Sequence, residues 1–369
     1  MKSRTVRRAL FVGLGGVGQR HLRNFVAVAG SDVELLAYRV RRERQVLSDA
    51  LCVQPDADLE SQYPLRVFSN LNEALVLRPD VTIVANPTSQ HVPVALSALD
   101  AGSDLFVEKP LSHDADGVDD LASVAERRGL IHFVAYQLRQ HPDFRRLQAW
   151  LAAGRIGRVY AARFEVGEYL PDFHPYEDYR RMYASRSELG GGVILTQIHE
   201  LDMAYALFGM PRSVFSLGGR VSDLEIDVED MAVSTLEYRH ADGRILPVSV
   251  HQDYLSRPKR RAASFIGESG RIEWCLSENR LRMWDASGAS VEEFDTTDFA
   301  RNQMFVDEMR HFLDCVRTRT PTEISLRDGA ASLRIGLALK RSQQSGRAVV
   351  LGEGPLRRNA AMPAMEAAP

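Results

Sequence analysis

The chain has 369 residues, 45% of them hydrophobic, enough for two domains that each bury a core. Its 46 basic and 49 acidic side chains leave a formal charge of -3, so no global field draws it to nucleic acid or to a membrane surface. No apolar run reaches the length of a spanning helix, and Cys52, Cys275 and Cys315 are scattered without ligand spacing. These features argue against a membrane span, a disulfide framework or a zinc site, and they fit a reducing cytoplasm.

The basic start, Lys2 to Arg8, leads into a short apolar stretch soon broken by Gln19, Arg20 and His21, so it reads as a first strand rather than an export signal. From Arg8 the strand runs straight into Gly13-Leu14-Gly15-Gly16-Val17-Gly18, the spacing G-x-G-x-x-G. Gly13 permits a sharp turn from strand to helix, Gly15 lets backbone N–H groups approach a pyrophosphate, and Gly18 lets the helix pack closely on the strand. The helix N-terminus adds donors and partial positive charge. Glycines also cluster in ordinary turns, so the motif draws its weight from context.

That context is alternation. Strand-like Val33 to Tyr38 is followed by a polar helical stretch, a buried strand Val81 to Asn86, an Ala/Leu-rich helix from Val92, the strand Leu105 to Val107, a helix from Asp114, and Ile131 to Ala135. The pattern predicts an α/β Rossmann domain over residues 1–135, with a right-handed, doubly wound, mostly parallel sheet. Ligands bind beyond the carboxyl ends of such strands, which puts the glycine loop, Tyr38, Asn86 and Glu108 on one edge.

Near residue 140 the pattern changes. Pro142 to Gly154 reads as one amphipathic helix, and long alternating runs follow: Arg158 to Val166, Ser213 to Gly219, Met231 to Tyr238, Arg244 to Gln252, Ala262 to Ile266 and Arg271 to Cys275. They predict a second α/β domain over residues 136–352 with a large, mostly antiparallel, open sheet. Two helices, Phe299 to Arg317 and Leu326 to Ser345, come next. From Glu353 the tail is rich in Ala, Pro, Met and Arg without a period, and the expectation for residues 353–369 is disorder.

A second constellation, Glu108-Lys109-Pro110, follows the strand Leu105 to Val107 directly. At a strand end facing the crevice a lysine is partly desolvated and able to hold a substrate oxygen; the plain alternative is an exposed loop lysine. With these residues the sequence resembles the family of glucose–fructose oxidoreductases and inositol dehydrogenases. The likeness runs to about Leu351 and rests on an ordered set: Gly13 to Gly18, Asn86-Pro87-Thr88 with His91, Glu108-Lys109-Pro110, and Gly190-Gly191-Gly192 leading to His199-Glu200-Leu201-Asp202.

The resemblance implies a nicotinamide cofactor held by these Rossmann landmarks, and a second domain whose open sheet joins protomers into a homodimer or homotetramer. It implies that Lys109 sits between nicotinamide and the reacting hydroxyl, with Pro110 shaping the loop, and that His199 is the general acid/base, its ordinary pKa lying near neutrality. One departure matters. Where relatives carry an Asp one turn before the histidine, this chain has Leu195, Thr196, Gln197 and Ile198. Threonine cannot take a proton as a base at neutral pH, so the acid/base work falls on His199 and Lys109, or the orienting role passes to Asp202 or to an acid from another loop.

The position that carries a ribose-binding carboxylate in NAD-selective sites is taken by Tyr38, followed by Arg39, Arg41 and Arg42. A guanidinium suits a 2′-phosphate, so NADP(H) is the expected cofactor, with NAD(H) as the alternative; Arg41 and Arg42 also read as a solvated helix start. Substrate contacts are expected from Gln137 and Arg139, from Tyr169, His174 and Arg180 in the aromatic segment Glu168 to Arg180, and from Thr196 and His199. Arg139, Arg180 and Arg181 leave room for an anionic sugar derivative. The expected function is reversible hydride transfer between nicotinamide and a hydroxyl or keto carbon of a sugar or cyclitol. Two other readings stand beside it: a redox-assisted glycosidase with tightly held NAD, and a cofactor-binding regulator, against which intact Lys109 and His199 count.

Overall fold

The computed structural model describes residues 5–40, 45–48 and 51–352. Arg41, Arg42 and the tail from Glu353 lie outside the described residues. The first half builds a six-stranded parallel sheet from β1 (Arg8–Val12), β2 (Glu34–Tyr38), β5 (Leu65–Phe68), β6 (Val81–Val84), β7 (Asp104–Glu108) and β8 (His132–Ala135), in the order β5-β2-β1-β6-β7-β8. Helices α1 (Gly16–Ala29), α4 (His91–Asp100) and α5 (Val118–Arg127) make the crossovers. Strands β6 and β7 are buried at every position, as a sheet covered on both faces requires.

Between β2 and β6 the expected polar helix is broken into smaller pieces. A two-residue hairpin, β3 (Val46–Leu47) with β4 (Val53–Gln54), is followed by one turn of helix α2 (Leu59–Gln62), the edge strand β5 and α3 (Leu71–Val76). β5 has an outer side open to solvent and no fully buried residue, so its sequence carries no apolar alternation. Register sets Val12 beside Tyr38 and Val84, so the glycine loop and Asn86 flank the point where strand order reverses.

The second half opens with α6 (Pro142–Ala152), whose first position is proline and whose cap is the His141 ring, accepting from Asp143 N–H. Next come β9 (Val159–Gly167), a run of single 3-10 turns, α7 (Val193–Thr196) and α8 (His199–Phe208). The sheet is completed by β10 (Ser213–Gly219), β11 (Met231–Arg239), β12 (Ile245–Asp253), β13 (Arg260–Gly267), β14 (Gly270–Cys275), β15 (Arg280–Asp285), β16 (Ser290–Asp295) and β17 (Val349–Val350). The nine strands run β16-β15-β14-β13-β9-β12-β11-β10-β17, antiparallel except for β9 with β12. The hairpin β15–β16 was not foreseen, because β16 buries no side chain and reads as a polar loop.

Strand β11 alternates buried and exposed residues along its length. Its inner face packs under the helices, while Phe215, Leu217, Val233, Ile245 and Ile266 stay exposed, Leu217 by 69%. The last helices, α9 (Asn302–Thr318) and α10 (Leu326–Ser345), return to the first domain. The Ile324 carbonyl accepts from Val134 N–H of β8 at 3.0 Å, and Arg319 pairs with the buried Asp104 at 2.5 Å. Among the described residues no helix is long and apolar enough to cross a membrane.

Candidate active site

The dinucleotide end is built from backbone. Gly13 has φ +89°, and a Cβ there would lie 2.7 Å from the Ala85 carbonyl oxygen; a Cβ on Gly18 would run into the Gly13 carbonyl. Gly15 caps α1 without a side-chain bond, no acidic residue occupies the first helical turn, and a Cβ on Gly15 would meet nothing. Its exposed face is thus open to an anion at the positive end of the helix dipole. Val17 completes that first turn, half-buried.

Two orphaned polar atoms point to what fills the crevice. Asn86 Oδ1 is buried with no partner, and so is the Tyr176 hydroxyl, which reaches across from the second domain to within 2.5 Å of where a Gly16 Cβ would sit. Burial pushes the Tyr176 phenol above its ordinary pKa, so it remains an O–H donor. A buried acceptor, a buried donor and an open glycine face suit a dinucleotide with its pyrophosphate on the loop. Tyr38 ends β2 and Arg39 follows it; Arg39 N–H donates to the Phe68 carbonyl and the Tyr38 carbonyl accepts from Gly13 N–H.

The ring nitrogens of His91 lie 2.9 Å from the Asn86 and Pro110 carbonyls, so this side chain ties two loops together. Burial lowers its pKa, and the neutral ring serves one carbonyl at a time. Pro87 caps the short turn Thr88–Gln90, and Thr88 is buried. Thr88 Cβ would stand 3.0 Å from a Cβ on Gly190, so the glycine triplet of the second domain presses on the dinucleotide domain.

At the reacting end, Glu108 closes β7 and bonds His21 at 2.6 Å while accepting from Lys109 N–H at 3.0 Å. Burial alone would raise Glu108; the His21 bond and charge, with Lys109, bring it below the ordinary carboxylate range. The Lys109–Pro110 peptide is cis. Lys109 Nζ donates to the Thr196 carbonyl at 2.9 Å. Burial lowers the pKa of that ammonium, opposed by Glu108 and Glu200 and assisted by Arg261.

His199 opens α8, only 3% exposed, with Nε2 3.3 Å from Gln137 Nε2 and Nδ1 buried without a partner. Burial holds its pKa well below the usual imidazole range, and Lys109, Arg261 and Arg301 push the same way. The neutral ring is thus able to accept a proton. The triplet before it explains the approach: Gly190 and Gly192 have φ +87° and +109°, and a Cβ on Gly191 or Gly192 would strike Tyr183 and Ala184 carbonyls or the Glu229 carboxylate.

Lys109, Thr196, His199, Gln137 and Glu108 therefore meet. Other expected contacts are engaged elsewhere. Arg139 forks onto Asp202 at 2.7 and 2.6 Å, and Asp202 also accepts from Ser332 Oγ at 2.9 Å, so Asp202 does not orient His199. Arg180 is exposed and paired with Asp178 and Glu225. His174 bonds Glu177 at 2.6 Å and stacks on Tyr176, beside the glycine loop. The Tyr169 ring lies under the Arg257 guanidinium at 3.3 Å. Thr196 Oγ1 is buried and unpartnered next to this cluster. Arg261 and Arg301 escaped the sequence reading, the first at the flank of a strand and the second inside the helix Phe299 to Arg317, while Tyr176 and Glu200 lay in segments it had singled out but were given no role of their own.

Two family models match the chain. The oxidoreductase family with an NAD-binding Rossmann fold covers residues 7–136, and the GFO/IDH/MocA C-terminal domain covers residues 144–273. Myo-inositol 2-dehydrogenase of Thermotoga maritima is 25% identical over 349 residues, spanning 93% of this chain and 98% of that one. UDP-N-acetylglucosamine 3-dehydrogenase of Acidithiobacillus ferrooxidans is 24% identical, spanning 88% and 92%. The WlbA dehydrogenase from Bordetella pertussis, solved in complex with NADH and UDP-GlcNAcA, shares the fold with a TM-score of 0.74 at 22% identity, over 95% of this chain and 100% of that one. With both domains matched in order and the glycine loop joined to the Lys109–His199 cluster, this chain belongs to the GFO/IDH/MocA family of oxidoreductases.

Proposed function

We propose that the protein transfers hydride reversibly between a nicotinamide dinucleotide and a hydroxyl or keto carbon of a sugar or cyclitol derivative. The observation that carries this reading is the convergence of Lys109 and a neutral, buried His199 on one turn, Thr196 to His199, at the edge of the dinucleotide crevice. The relatives' names, an inositol dehydrogenase and a nucleotide-sugar dehydrogenase among them, support it and favour neither a glycosidase nor a non-catalytic regulator.

When bound, the nicotinamide accepts or returns the hydride. The chain's own part is proton and charge handling. Lys109 Nζ, held by the Thr196 carbonyl, donates to the reacting oxygen and stabilises negative charge as it develops there. His199 Nε2, which now meets the Gln137 amide, takes the hydroxyl proton during oxidation and returns it during reduction. Glu108, locked by His21, fixes the Lys109 backbone. The cofactor would be held by Gly13 to Gly18, Asn86, Pro87, Thr88, His91 and Glu108, with Tyr38 and Arg39 at the adenosine end.

NADP(H) is the preferred form in this reading, since β2 ends at Tyr38 and runs on into Arg39-Val40 without a carboxylate. The exposed face of the nine-stranded sheet suits burial against a second copy, giving a homodimer or homotetramer. The three free thiols fit work in the cytoplasm. A panel of sugars and cyclitols followed by nicotinamide absorbance tests the activity; a panel without turnover in either direction overturns it. Arg39→Ala tests the cofactor. NADPH affinity is expected to fall about 10- to 100-fold with NADH nearly unchanged, and equal losses for both remove the preference.

A further inference from the structure

The turn that carries the reacting end is a broken helix. α7 stops at Thr196 and α8 starts at His199, so carbonyls at the break lack the helical N–H that would otherwise reach them. Side chains take them instead. Lys109 Nζ donates to the Thr196 carbonyl at 2.9 Å, while Nε2 of Gln252, on β12, donates to the Gln197 carbonyl at 2.8 Å and to the Ile194 carbonyl at 3.3 Å. The link runs both ways, because Gln197 Nε2 donates at 2.9 Å to the carbonyl of Asp253, the next residue along β12. Every partner is a carbonyl, which only accepts, so both amides must turn their nitrogens toward it.

Gln252 is an unusual residue for its position. Alternate residues of β12 point inward as Leu246, Val248, Val250 and Gln252, and the glutamine is fully buried at the end of that apolar row. A buried amide costs free energy where it is not bonded, and the amide oxygens of both Gln252 and Gln197 have no partner. A leucine would extend the row without that cost. What the glutamine supplies is two donated bonds, and they bracket Thr196 along the chain. In a continuous helix the N–H groups four residues on would take the carbonyls of Ile194, Thr196 and Gln197, and Lys109 would lose its acceptor. Gln252 occupies two of those three carbonyls from a rigid base, since its strand pairs with β9 beside Val166 and with β11 beside Ala232.

We infer that Gln252 is a positioning residue for hydride transfer: its grip on the Ile194 and Gln197 carbonyls holds open the break between α7 and α8 that presents the Thr196 carbonyl to Lys109. The inference rests on the hydride-transfer reading for its purpose. Gln252 acts through Thr196 on Lys109, and through the start of α8 on His199.

The test reads Lys109 directly. The chain has four lysines, Lys2, Lys109, Lys259 and Lys340, so acetic anhydride labelling across a pH series, resolved by peptide mass spectrometry, gives the pH at which Lys109 is half deprotonated, with exposed Lys259 as internal reference. Gln252→Met keeps the length of the side chain and removes both donations. Gln252→Asn keeps an amide one methylene short of both carbonyls, and carries the test should the first variant not fold. An ammonium that loses its acceptor is less favoured, so the Lys109 midpoint is expected to fall by about one pH unit in either variant while Lys259 holds. With a polyol that turns over, kcat is expected to fall about 10- to 100-fold, its alkaline limb moving down with Lys109, while KM and cofactor affinity stay near wild type. A folded variant with an unmoved Lys109 midpoint overturns the inference and leaves Gln252 a strut of the core. A shifted midpoint with wild-type kcat also overturns it, by removing the grip from the reaction. A shifted midpoint in a protein that turns over no polyol keeps the grip on Lys109 and overturns hydride transfer instead.

Discussion

The two ends of the crevice are made differently. The dinucleotide end is almost all backbone: glycines within six positions, an uncapped helix and two strand ends in register. The reacting end is almost all side chain, with Lys109 just after β7, Gln137 from the turn after β8, His199 from α8, and Glu200 of α8 paired with Arg261 of β13. A backbone site depends on local conformation and tolerates few substitutions, but it discriminates little among ligands that share a pyrophosphate. A side-chain site assembled over long separations can be retuned residue by residue, and there specificity accumulates.

The largest expected effect breaks the reacting end alone. Lys109→Ala and His199→Ala should each lower kcat by about 10²- to 10⁴-fold while cofactor affinity stays near wild type, with Thr196→Ala costing far less. Steady-state kinetics with a parallel cofactor titration checks this; near-normal turnover in His199→Ala removes the acid/base role. Because His199 is held well below the ordinary imidazole range, the acid limb of kcat/KM should fall below pH 6.5.

Arg139 sharpens the comparison, since it lies near the site yet is bound to Asp202. Removing one member of a buried pair leaves the other uncompensated, so Arg139→Ala should destabilise the fold by about 3 to 5 kcal/mol. Denaturant unfolding measures this. A raised KM with unchanged stability would return Arg139 to the substrate.

His141 offers a smaller effect outside both ends. Burial depresses its pKa to about 4 from 6.5, so the unfolded chain takes the proton first as pH falls. Its contribution to stability is complete above pH 6.5 and is lost toward pH 4, amounting to about 2 kcal/mol by pH 5. Asp143, 3.7 Å away and raised by burial, titrates with the opposite sign. His141→Asn keeps a capping acceptor and should flatten the difference in unfolding free energy between pH 7 and pH 5; an unchanged slope assigns the acid sensitivity elsewhere.

The smallest prediction probes a side chain that reaches the glycine loop from the second domain. Tyr176→Phe removes the orphaned hydroxyl over Gly16 and should weaken the reduced cofactor by roughly fivefold to tenfold, as loss of one ordinary hydrogen bond does. Fluorescence titration measures it. Tighter binding in the variant would mean that the hydroxyl obstructs the loop.

Sequence legibility followed the same division. The Rossmann strands were readable because burial on both faces forces continuous apolar runs, and the long strands of the second sheet because one buried face forces alternation. β5 and β16 sit at sheet edges and β3–β4 is two residues long, so neither period survives there. Lys109 and His199 carried ordered motifs. Tyr176 approaches Gly16 from 160 positions away, and nothing near either residue encodes that contact.

The return of the last helices also bears on the order in which the chain becomes whole. The buried carboxylate of Asp104 and the Val134 amide find partners in Arg319 and Ile324, 215 and 190 residues later. A ribosome finishes the dinucleotide half long before it delivers those groups, leaving Asp104 without its Arg319 ion pair and one strand edge open. Completion of the earliest domain thus waits on the latest sequence, and a nascent chain stopped before α9 holds a dinucleotide fold that is still unfinished.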